Sequence, residues 1–257
     1  MTIHPTAIIH PSAQLDSSVE VGPYSIIGEH VVIGARTTVG SHVVMDGRTQ
    51  IGEDCDFSPF CSIGLPPQDF KYKGEPTRVI VGNKNIFREY VTIHRGTPTG
   101  RNETVIGDHN YFMAYSHVAH DCLIGNHVIM ANAAALGGHI TIGDRAVLGG
   151  LVAVHQFVRI GGYAMIGGGA IVVQDVPPYL IASGNRAELH GLNLIGLKRN
   201  GFSSEEITAL KRAYKLLFHA HLPLKEAVKE SRATWGHLDR VEAFLSFIEK
   251  SKRGICR

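Results

Sequence analysis

A large apolar residue recurs at every sixth position through most of this chain. The register is occupied by aliphatic side chains, methionine or phenylalanine over residues 3–63, 81–93 and 106–172. A glycine often follows directly, as in Val21-Gly22. A period of six fits neither the 3.6-residue repeat of an α-helix nor the two-residue alternation of a half-buried strand. The repeat therefore decides the fold class before any other feature is considered.

The hexads predict a mainly β fold, a left-handed parallel β-helix. Each hexad supplies a short strand, one buried apolar residue and a turn, and three hexads close a triangular coil. Coils stack through parallel strand hydrogen bonds about 4.8 Å apart. Glycine after the apolar residue suits a corner where a Cβ would crowd or where φ is positive. A β-sandwich would instead need turn signals every 8–12 residues, which this chain lacks.

Two segments interrupt the register. Residues 65–80 are rich in proline, glycine and charge, and residues 94–105 include HRGTPTGRNETV. Both are predicted to be loops that project from corners of the solenoid, where binding groups are often carried.

The repeat fades after Val173, and a helical domain is predicted to follow it. Ser203 and Glu206 have the spacing of a capping box, Pro223 opens a second helix, and a third is expected from about Asp239 to Gly254. The predicted division is a β-helix over 1–188 and a helical domain over 189–257.

Composition excludes several classes of protein. The net charge of +2 is too small for wholesale nucleic-acid binding, and no segment is long and apolar enough to span a membrane. No basic segment and apolar run of a signal peptide is present at the start. The four cysteines lack zinc-ribbon spacing, which favours reduced thiols in a cytoplasmic protein.

The chemistry is predicted at Ser116–Cys122, within a chain of 15 histidines. Val118 holds an inward position, so His117 and His120 face outward. A histidine beside an aspartate suits general-base catalysis, because the carboxylate fixes the tautomer and stabilises the imidazolium.

An offset of 18 residues then aligns neighbouring coils. Gly138 should lie beside His120, His139 beside Asp121, and Gln156 above Gly138. A base, an accessible backbone N–H and an amide on one corner suit acyl transfer. The histidines could instead be surface polar residues, but the clustering of His117, His120, His139 and His155 favours a site.

Covalent catalysis fits less well. Cys122 follows Asp121, whose charge disfavours a thiolate, so it is interpreted as structural. The glycines at 167–169 lack a Walker lysine. Direct transfer with a histidine base is therefore expected, with no metal and no cofactor.

Five segments resemble a known family, the UDP-N-acetylglucosamine acyltransferases, which catalyse the first step of lipid A synthesis in Gram-negative bacteria. They are NIFREYVTIHRGT (85–97), HVAHDC (117–122), AVHQF (153–157), QDVPPY (174–179) and GLKRNGFS (196–203). The resemblance implies transfer of a 3-hydroxyacyl group from the phosphopantetheine arm of acyl carrier protein to the 3-hydroxyl of UDP-N-acetylglucosamine.

The resemblance also implies residue roles. His120 would be the general base, Asp121 would orient it, and the Gly138 N–H would stabilise the oxyanion. Gly168 would leave room for a longer acyl chain. Positions matching contacts to the sugar nucleotide or acyl group are Asp69, Lys71, His117, His139, Gln156, Asn193 and Arg199. The same resemblance implies a homotrimer with sites between subunits, and a basic docking surface for the acidic carrier at Lys198, Arg199, Lys211, Arg212 and Lys215.

Three rivals remain open at this stage. A zinc enzyme of the γ-carbonic-anhydrase type would use His117, His120 and His139 as ligands. The N-acyltransferase of the same pathway would carry an additional N-terminal domain, whereas the hexads here begin at residue 3. A structural or ice-binding solenoid would need a flat array of threonines, and no such column is seen.

Overall fold

The computed structural model describes residues 2–257, which form 28 strands and four helices. The strands are, in chain order, β1 (Thr2–Ile3), β2 (Ile8–Ile9), β3 (Gln14–Leu15), β4 (Glu20–Val21), β5 (Ile26–Ile27), β6 (Val32–Ile33), β7 (Thr38–Val39), β8 (Val44–Met45), β9 (Arg48–Ile51), β10 (Asp56–Phe57), β11 (Ser62–Leu65), β12 (Arg78–Val81), β13 (Ile86–Phe87), β14 (Thr92–His94), β15 (Glu103–Ile106), β16 (Tyr111–Phe112), β17 (His117–Val118), β18 (Leu123–Ile124), β19 (Ile129–Met130), β20 (Ala135–Leu136), β21 (Thr141–Ile142), β22 (Val147–Leu148), β23 (Ala153–Val154), β24 (Arg159–Ile160), β25 (Met165–Ile166), β26 (Ile171–Val172), β27 (Leu180–Ser183) and β28 (Glu188–Leu192). The helices are α1 (Leu194–Arg199), α2 (Ser204–His219), α3 (Leu224–Trp235) and α4 (Asp239–Glu249).

The strands wind into a three-sided left-handed β-helix. Every third strand joins the same parallel sheet, so β1, β4 and β7 begin the first sheet, β2, β5 and β8 the second, and β3, β6 and β9 the third. Partners are 18 residues apart in uninterrupted coils, as in Val21↔Val39. The offset grows to 30 at Phe57↔Phe87 and to 25 at Ile93↔Val118, where chain has been inserted. The predicted fold class is confirmed.

Three edges separate the sheets, and they are named here by the direction of the chain. Edge I joins the first sheet to the second, edge II joins the second to the third, and edge III joins the third back to the first. The inward apolar residues between the edges are buried, and the rings of Phe57, Phe87 and Phe112 stack at 4.6 and 4.9 Å. This solid column separates the three edges from one another.

The corner glycines are there because coils approach closely. A Cβ on Gly22 would lie 2.8 Å from the carbonyl carbon of Gly40 in the next coil. Positive φ falls instead on the third residue after the apolar one, for example at His42 (56°) and His139 (62°). The N–H of that residue donates to the preceding coil, as from His139 to the His120 oxygen at 3.0 Å. This hydrogen bond offsets the cost of the left-handed conformation.

The inserted loops are shorter than the expected 65–80 and 94–105. Residues 78–81 and 103–106 form strands β12 and β15, which pair with each other residue by residue. The chain outside regular structure is therefore 66–77 and 95–102. Both loops leave the solenoid at edge II, after β11 and after β14.

The solenoid closes with a hairpin and a helical tail. Strand β27 pairs parallel with β25 and antiparallel with β28, and the division predicted between residues 188 and 189 falls at the first residues of β28. The capping box of Ser203 and Glu206 is confirmed at the start of α2, and Pro223 is the N-cap of α3. Helix α1 was not predicted.

The end predicted for the last helix was wrong. Helix α4 ends at Glu249 rather than at Gly254, because the following residues pack on the solenoid. The Cys256 N–H donates to the Asp175 oxygen at 3.0 Å, and the Ser251 hydroxyl donates to the Asp175 carboxylate at 2.8 Å. The four cysteines are buried free thiols. Over residues 2–257, no helix combines the length and the apolar character needed to cross a bilayer.

Candidate active site

Edge II gathers the features that the sequence marked out separately. The loops 66–77 and 95–102 follow β11 and β14, and the HVAHDC segment follows β17 at the same edge of the next coil. The register pairs Ile93 with Val118, so the second loop lies against His120 and Asp121. Two loops and one coil corner therefore build a single site.

His120 and Asp121 form a hydrogen-bonded pair. The Nδ1 atom of His120 lies 2.8 Å from Oδ2 of Asp121. The imidazole is 14% exposed, whereas the carboxylate is fully buried. The arrangement confirms that His120 faces outward from the aliphatic column and leaves its Nε2 edge toward the cleft.

The carboxylate of Asp121 is held by the second loop. It accepts hydrogen bonds from the Thr97 N–H (3.1 Å), the Thr97 hydroxyl (2.6 Å) and the Arg101 N–H (2.7 Å). Gly100 lies so close that a Cβ there would collide with the carboxyl group. Burial raises the pKa of Asp121, but the hydrogen bonds from His120, Thr97 and Arg101 outweigh it and lower the pKa to about 2.

An ionised Asp121 fixes the tautomer of His120. A carboxylate can only accept hydrogen bonds, so the proton of the neutral imidazole lies on Nδ1. The Nε2 atom is then unprotonated and available as a base. The chemistry predicted for the His-Asp pair follows from this geometry.

Gly138 lies directly against the base, as the 18-residue offset predicted. A Cβ built on Gly138 would lie 2.5 Å from Cε1 and 2.7 Å from Nε2 of His120. The N–H groups on either side, of Gly137 and His139, donate to Val154 and His120 in neighbouring coils. The Gly138 N–H lies between them, within reach of the space in front of the imidazole.

His139 completes the wall beside Asp121. Its Nδ1 lies 3.9 Å from Oδ2 of Asp121, and its ring stacks on Phe157 at 4.4 Å. Burial lowers the pKa of His139, partly opposed by the negative charge of Asp121. Because its pKa is lowered, His139 is neutral near pH 7 and suits hydrogen bonding to a ligand.

The first loop covers this cleft. A pocket of about 460 Å³ opens in front of His120 and is lined by both loops and two coil corners. Its walls are Gln68, Asp69, Lys71, Thr99, His120, His139, Gln156 and Phe157. Six of the residues that the sequence assigned to the site, counting Gly138 against the ring, are brought together here within one chain.

His117 lies one strand away from the pocket. Its Nδ1 is 2.7 Å from the Thr92 hydroxyl, and its ring meets His94 edge-on at 5.1 Å. Burial lowers the pKa of His117 and, with the nearby His117 and His120, lowers the pKa of His94 to about 4. Both imidazoles are therefore uncharged at neutral pH.

Three predicted site residues lie at other edges of the same chain. Gly168 is at edge I beside Gly150. Asn193 caps α1 and donates to the Tyr163 oxygen at edge III, and Arg199 ends that helix. Because the apolar column separates the edges, a single chain does not bring these residues to His120.

The histidine set expected of a zinc enzyme is not the set that converges. Potential ligand atoms of His120, Asp121 and His139 lie within 4.8 Å of one another, without His117. The Nδ1 atom of His117 instead bonds to Thr92. The geometry thus departs from the three-histidine arrangement of the carbonic-anhydrase alternative.

Sequence reasoning missed the residues that hold Asp121. Thr97, Gly100 and Arg101 lie in a segment that was interpreted only as a projecting loop. The available signal was the position of the interruption, one coil before HVAHDC and at the same corner.

Comparison with known proteins places the chain. A family model described as UDP-N-acetylglucosamine O-acyltransferase, domain 2, matches residues 175–256, and a bacterial transferase hexapeptide model matches residues 103–138. A protein of Thermodesulfovibrio yellowstonii named acyl-[acyl-carrier-protein]--UDP-N-acetylglucosamine O-acyltransferase is 57% identical over 255 residues, 99% of either chain. The chain belongs to the UDP-N-acetylglucosamine O-acyltransferase family.

Further members of that family agree over their full lengths. A protein of the same name from Trichlorobacter lovleyi is 58% identical over 260 residues, all of both chains. The crystal structure of UDP-N-acetylglucosamine O-acyltransferase (LpxA) from Moraxella catarrhalis superposes with a TM-score of 0.98 at 44% identity, covering 100% of both chains. The predicted family is confirmed, and the zinc-enzyme alternative is not favoured.

Proposed function

We propose that this protein transfers a 3-hydroxyacyl group from acyl carrier protein to the 3-hydroxyl of UDP-N-acetylglucosamine, the first step of lipid A biosynthesis. The observation that carries the proposal is the His120–Asp121 pair with Gly138 against its ring, inside a pocket that also contains Asp69 and Gln156. The printed names of the family's members describe the same transfer.

The reaction follows from the tautomer. Nε2 of His120 takes the proton of the sugar 3-hydroxyl as that oxygen attacks the thioester carbonyl carbon. The carbonyl oxygen gains negative charge, and the Gly138 N–H stabilises it. When the intermediate collapses, the carbon–sulfur bond breaks and the leaving thiolate takes the proton from the His120 imidazolium. Asp121, ionised throughout, stabilises that imidazolium by a 2.8 Å hydrogen bond.

Direct transfer is favoured over an acyl-enzyme. The one cysteine near the pair, Cys122, is fully buried, and its thiol lies 3.3 Å from the Gly137 oxygen. Burial raises its pKa to about 12, so the thiolate needed for attack is scarce at neutral pH. The acyl group enters on the phosphopantetheine arm of its carrier, and no cofactor or metal is part of the proposal.

We assign substrate contacts to both loops and the neighbouring coil. Asp69, Lys71, His139 and Gln156 line the pocket and present charge and hydrogen-bonding groups to a sugar nucleotide. Asn193 and Arg199 would reach the nucleotide from another subunit, and His117 and Gly168 would contact the acyl group. A side chain at Gly168 would meet the Gly150 oxygen at 3.3 Å and occupy space outside the solenoid, so glycine suits a longer chain.

A homotrimer supplies the missing residues. In a closed ring of three chains, edge II of one solenoid faces a different edge of its neighbour. That arrangement would bring Arg199 of one chain beside His120 of the next. The four buried, free thiols and the cytoplasmic nature of acyl carriers and sugar nucleotides support a cytoplasmic site of action.

Mixed trimers test the shared site. His120→Ala and Arg199→Ala chains are each expected to be nearly inactive alone, and a one-to-one mixture should recover about one quarter of the wild-type rate, since both good residues meet in one site in four. Tagged chains purified after refolding together would be assayed. No recovery would contradict a site between subunits.

Carrier docking is assigned to the helical tail. Five exposed cations lie on α1 and α2, namely Lys198, Arg199, Lys211, Arg212 and Lys215. A second basic groove, lined in part by Arg159, Lys250 and Arg253, shares His139 and Phe157 with the pocket. Charge reversal of Lys211 and Lys215 should raise KM for the acyl carrier alone, with a steeper loss at low salt.

The direct test of function is an assay with purified protein, UDP-N-acetylglucosamine and a ladder of 3-hydroxyacyl carrier proteins. We expect a 3-O-acylated sugar nucleotide, formed fastest with a long acyl chain. Formation of an N-acylated product, or of none from any carrier, would contradict the proposal.

A further inference from the structure

The first loop carries Asp69 and Lys71 on a preformed turn. The Lys71 N–H donates to the Asp69 carboxylate at 2.9 Å, and the Tyr72 N–H donates to the Asp69 carbonyl oxygen at 3.0 Å. The Tyr72 hydroxyl donates to the Glu75 oxygen at 2.5 Å, and the Lys73 N–H donates to the Glu75 carboxylate at 2.8 Å. The tip is therefore tied to itself and can move as one unit.

A single hydrogen bond ties this tip to the solenoid. Among the hydrogen bonds of residues 2–257, the one that joins residues 66–76 to the body runs from Nε of Arg95 to the Tyr72 hydroxyl at 2.9 Å. The guanidinium also donates to the Gly64 oxygen at 2.9 Å, and it lies 5.6 Å from the centroid of the Tyr72 ring. Arg95 thus spans from a coil backbone to the loop.

Three successive coils are shaped around this guanidinium. Gly47 has a φ of +64°, and a Cβ there would collide with Nη1 of Arg95. Gly64 has a φ of +78° and turns its carbonyl oxygen toward the same nitrogen. Arg95 itself is half-buried and begins the second loop, two residues before Thr97. A surface arginine that paired by chance would not require two adapted glycines.

We infer that Arg95 and Tyr72 form a latch that sets the position of Asp69 and Lys71 in front of His120. This inference rests on the proposed function. Both are positioning residues, because they act through the loop and do not line the pocket. Since Arg95 lies between His94 and the Asp121 cradle, the latch also fixes the two loops relative to each other.

The latch has a kinetic consequence that a general structural role lacks. Without it the loop tip samples open positions, and apparent affinity for the sugar nucleotide falls with the closed fraction. If about one molecule in ten remains closed, KM for the nucleotide rises about tenfold. The turnover number stays nearly constant, because saturating nucleotide selects the closed loop and leaves His120, Asp121 and Gly138 in place.

Tyr72→Phe tests the latch, since it removes the hydroxyl and keeps the ring. The matched control is Tyr111→Phe, whose hydroxyl accepts a hydrogen bond from Arg88 at 3.2 Å on the first sheet, away from the loops. For Tyr72→Phe we expect KM for UDP-N-acetylglucosamine to rise about tenfold, with kcat within about twofold and KM for the acyl carrier unchanged. For Tyr111→Phe we expect wild-type values. An unchanged nucleotide KM in Tyr72→Phe would overturn the latch.

Hydrogen exchange tests the same inference without any reaction. In ligand-free protein, amides of residues 66–76 should exchange faster in Tyr72→Phe than in the wild type and the Tyr111→Phe control, while the solenoid strands keep their protection. If wild-type protein failed to acylate the sugar, the proposed function would be wrong and this exchange comparison would still decide the latch. Equal exchange of the loop in all three proteins would refute it.

Discussion

Edges I and II share one backbone and differ in everything that makes a site. At edge I the left-handed corner positions hold Tyr90 and Tyr115, with φ of 61° and 63°, and their rings stack face to face at 4.8 Å. At edge II the equivalent positions hold Asp121 and His139, with φ of 61° and 62°. Tyr115 is 61% exposed, whereas Asp121 is fully buried. The same turn gives an open ladder at one edge and a buried carboxylate at the other.

The inserted loops account for this difference. Edge I has none, so its corner side chains meet solvent and each other. At edge II, Thr97 and Arg101 donate to Asp121, and residues 66–77 cover the front of His120. Exclusion of water strengthens each of these interactions and lets a histidine-aspartate pair act as a base. A corner becomes a site when loops enclose it.

The largest expected effect comes from removing the base. His120→Ala should lower kcat by about 10³-fold, because proton transfer by a positioned side chain contributes 10²- to 10⁴-fold. The fold should persist, since the ring lies outside the apolar column. The control is His42→Ala, a corner histidine at edge I that stacks on Phe60 at 5.0 Å. Turnover near wild type in His120→Ala would remove the distinction between the edges.

Gly138→Ala should lower kcat by about 300-fold, within the range expected for losing one oxyanion donor. A Cβ there would lie 2.5 Å from the His120 ring, so the imidazole must shift. Gly150→Ala is the matched change at edge I, where the nearest atom is the Asn132 oxygen at 3.3 Å. Steady-state rates of both variants make the comparison, and similar rates would contradict a special role for the edge II glycine.

Burial at edge II should also be visible in stability. His94 has its pKa lowered to about 4 by burial and by the nearby His117 and His120, against an ordinary value of 6.5. The unfolded chain therefore binds a proton that the folded chain refuses between these values. Stability is full above pH 6.5 and falls as the pH drops toward 4, by up to about 3 kcal/mol from this group. Denaturant titrations of His94→Gln should show a flatter profile, and an unchanged slope would contradict it.

The smallest effect is expected at edge I. Tyr90→Ala removes ring contacts to Phe60 at 4.9 Å and to Tyr115 at 4.8 Å. Because the rings are exposed, the free energy of unfolding should fall by only about 1 kcal/mol. The kcat/KM ratio should not change. A loss of activity beyond twofold would show that the edge I ladder contributes to the site, and would weaken the contrast drawn here.

The sequence predicts the solenoid closely because one repeat sets both the coil and the register. The spacing of 18 residues was enough to place Gly138 beside His120 and His139 beside Asp121, as the structure confirms. Stacking in a solenoid turns sequence distance into spatial distance. Few folds allow side chains in different segments to be brought together by counting.

What the sequence could not supply lies outside the repeat. Positive φ was attached to the wrong corner residue, because the hexads show where Cβ crowding occurs and not where the chain reverses. The cradle of Thr97 and Arg101 depends on the path of an irregular loop. The end of α4 at Glu249 reflects packing of the last residues on Asp175, a long-range contact that local capping signals do not report.

The most direct measurement is a crystal structure of the protein with UDP-N-acetylglucosamine bound. The account predicts the sugar in the edge II pocket, with its 3-hydroxyl oxygen about 3 Å from Nε2 of His120, a hydrogen-bond distance that permits proton transfer. The Gly138 N–H should face the position of the incoming acyl oxygen. A sugar bound at another edge, or a 3-hydroxyl turned away from Nε2 with a different group beside it, would contradict the account.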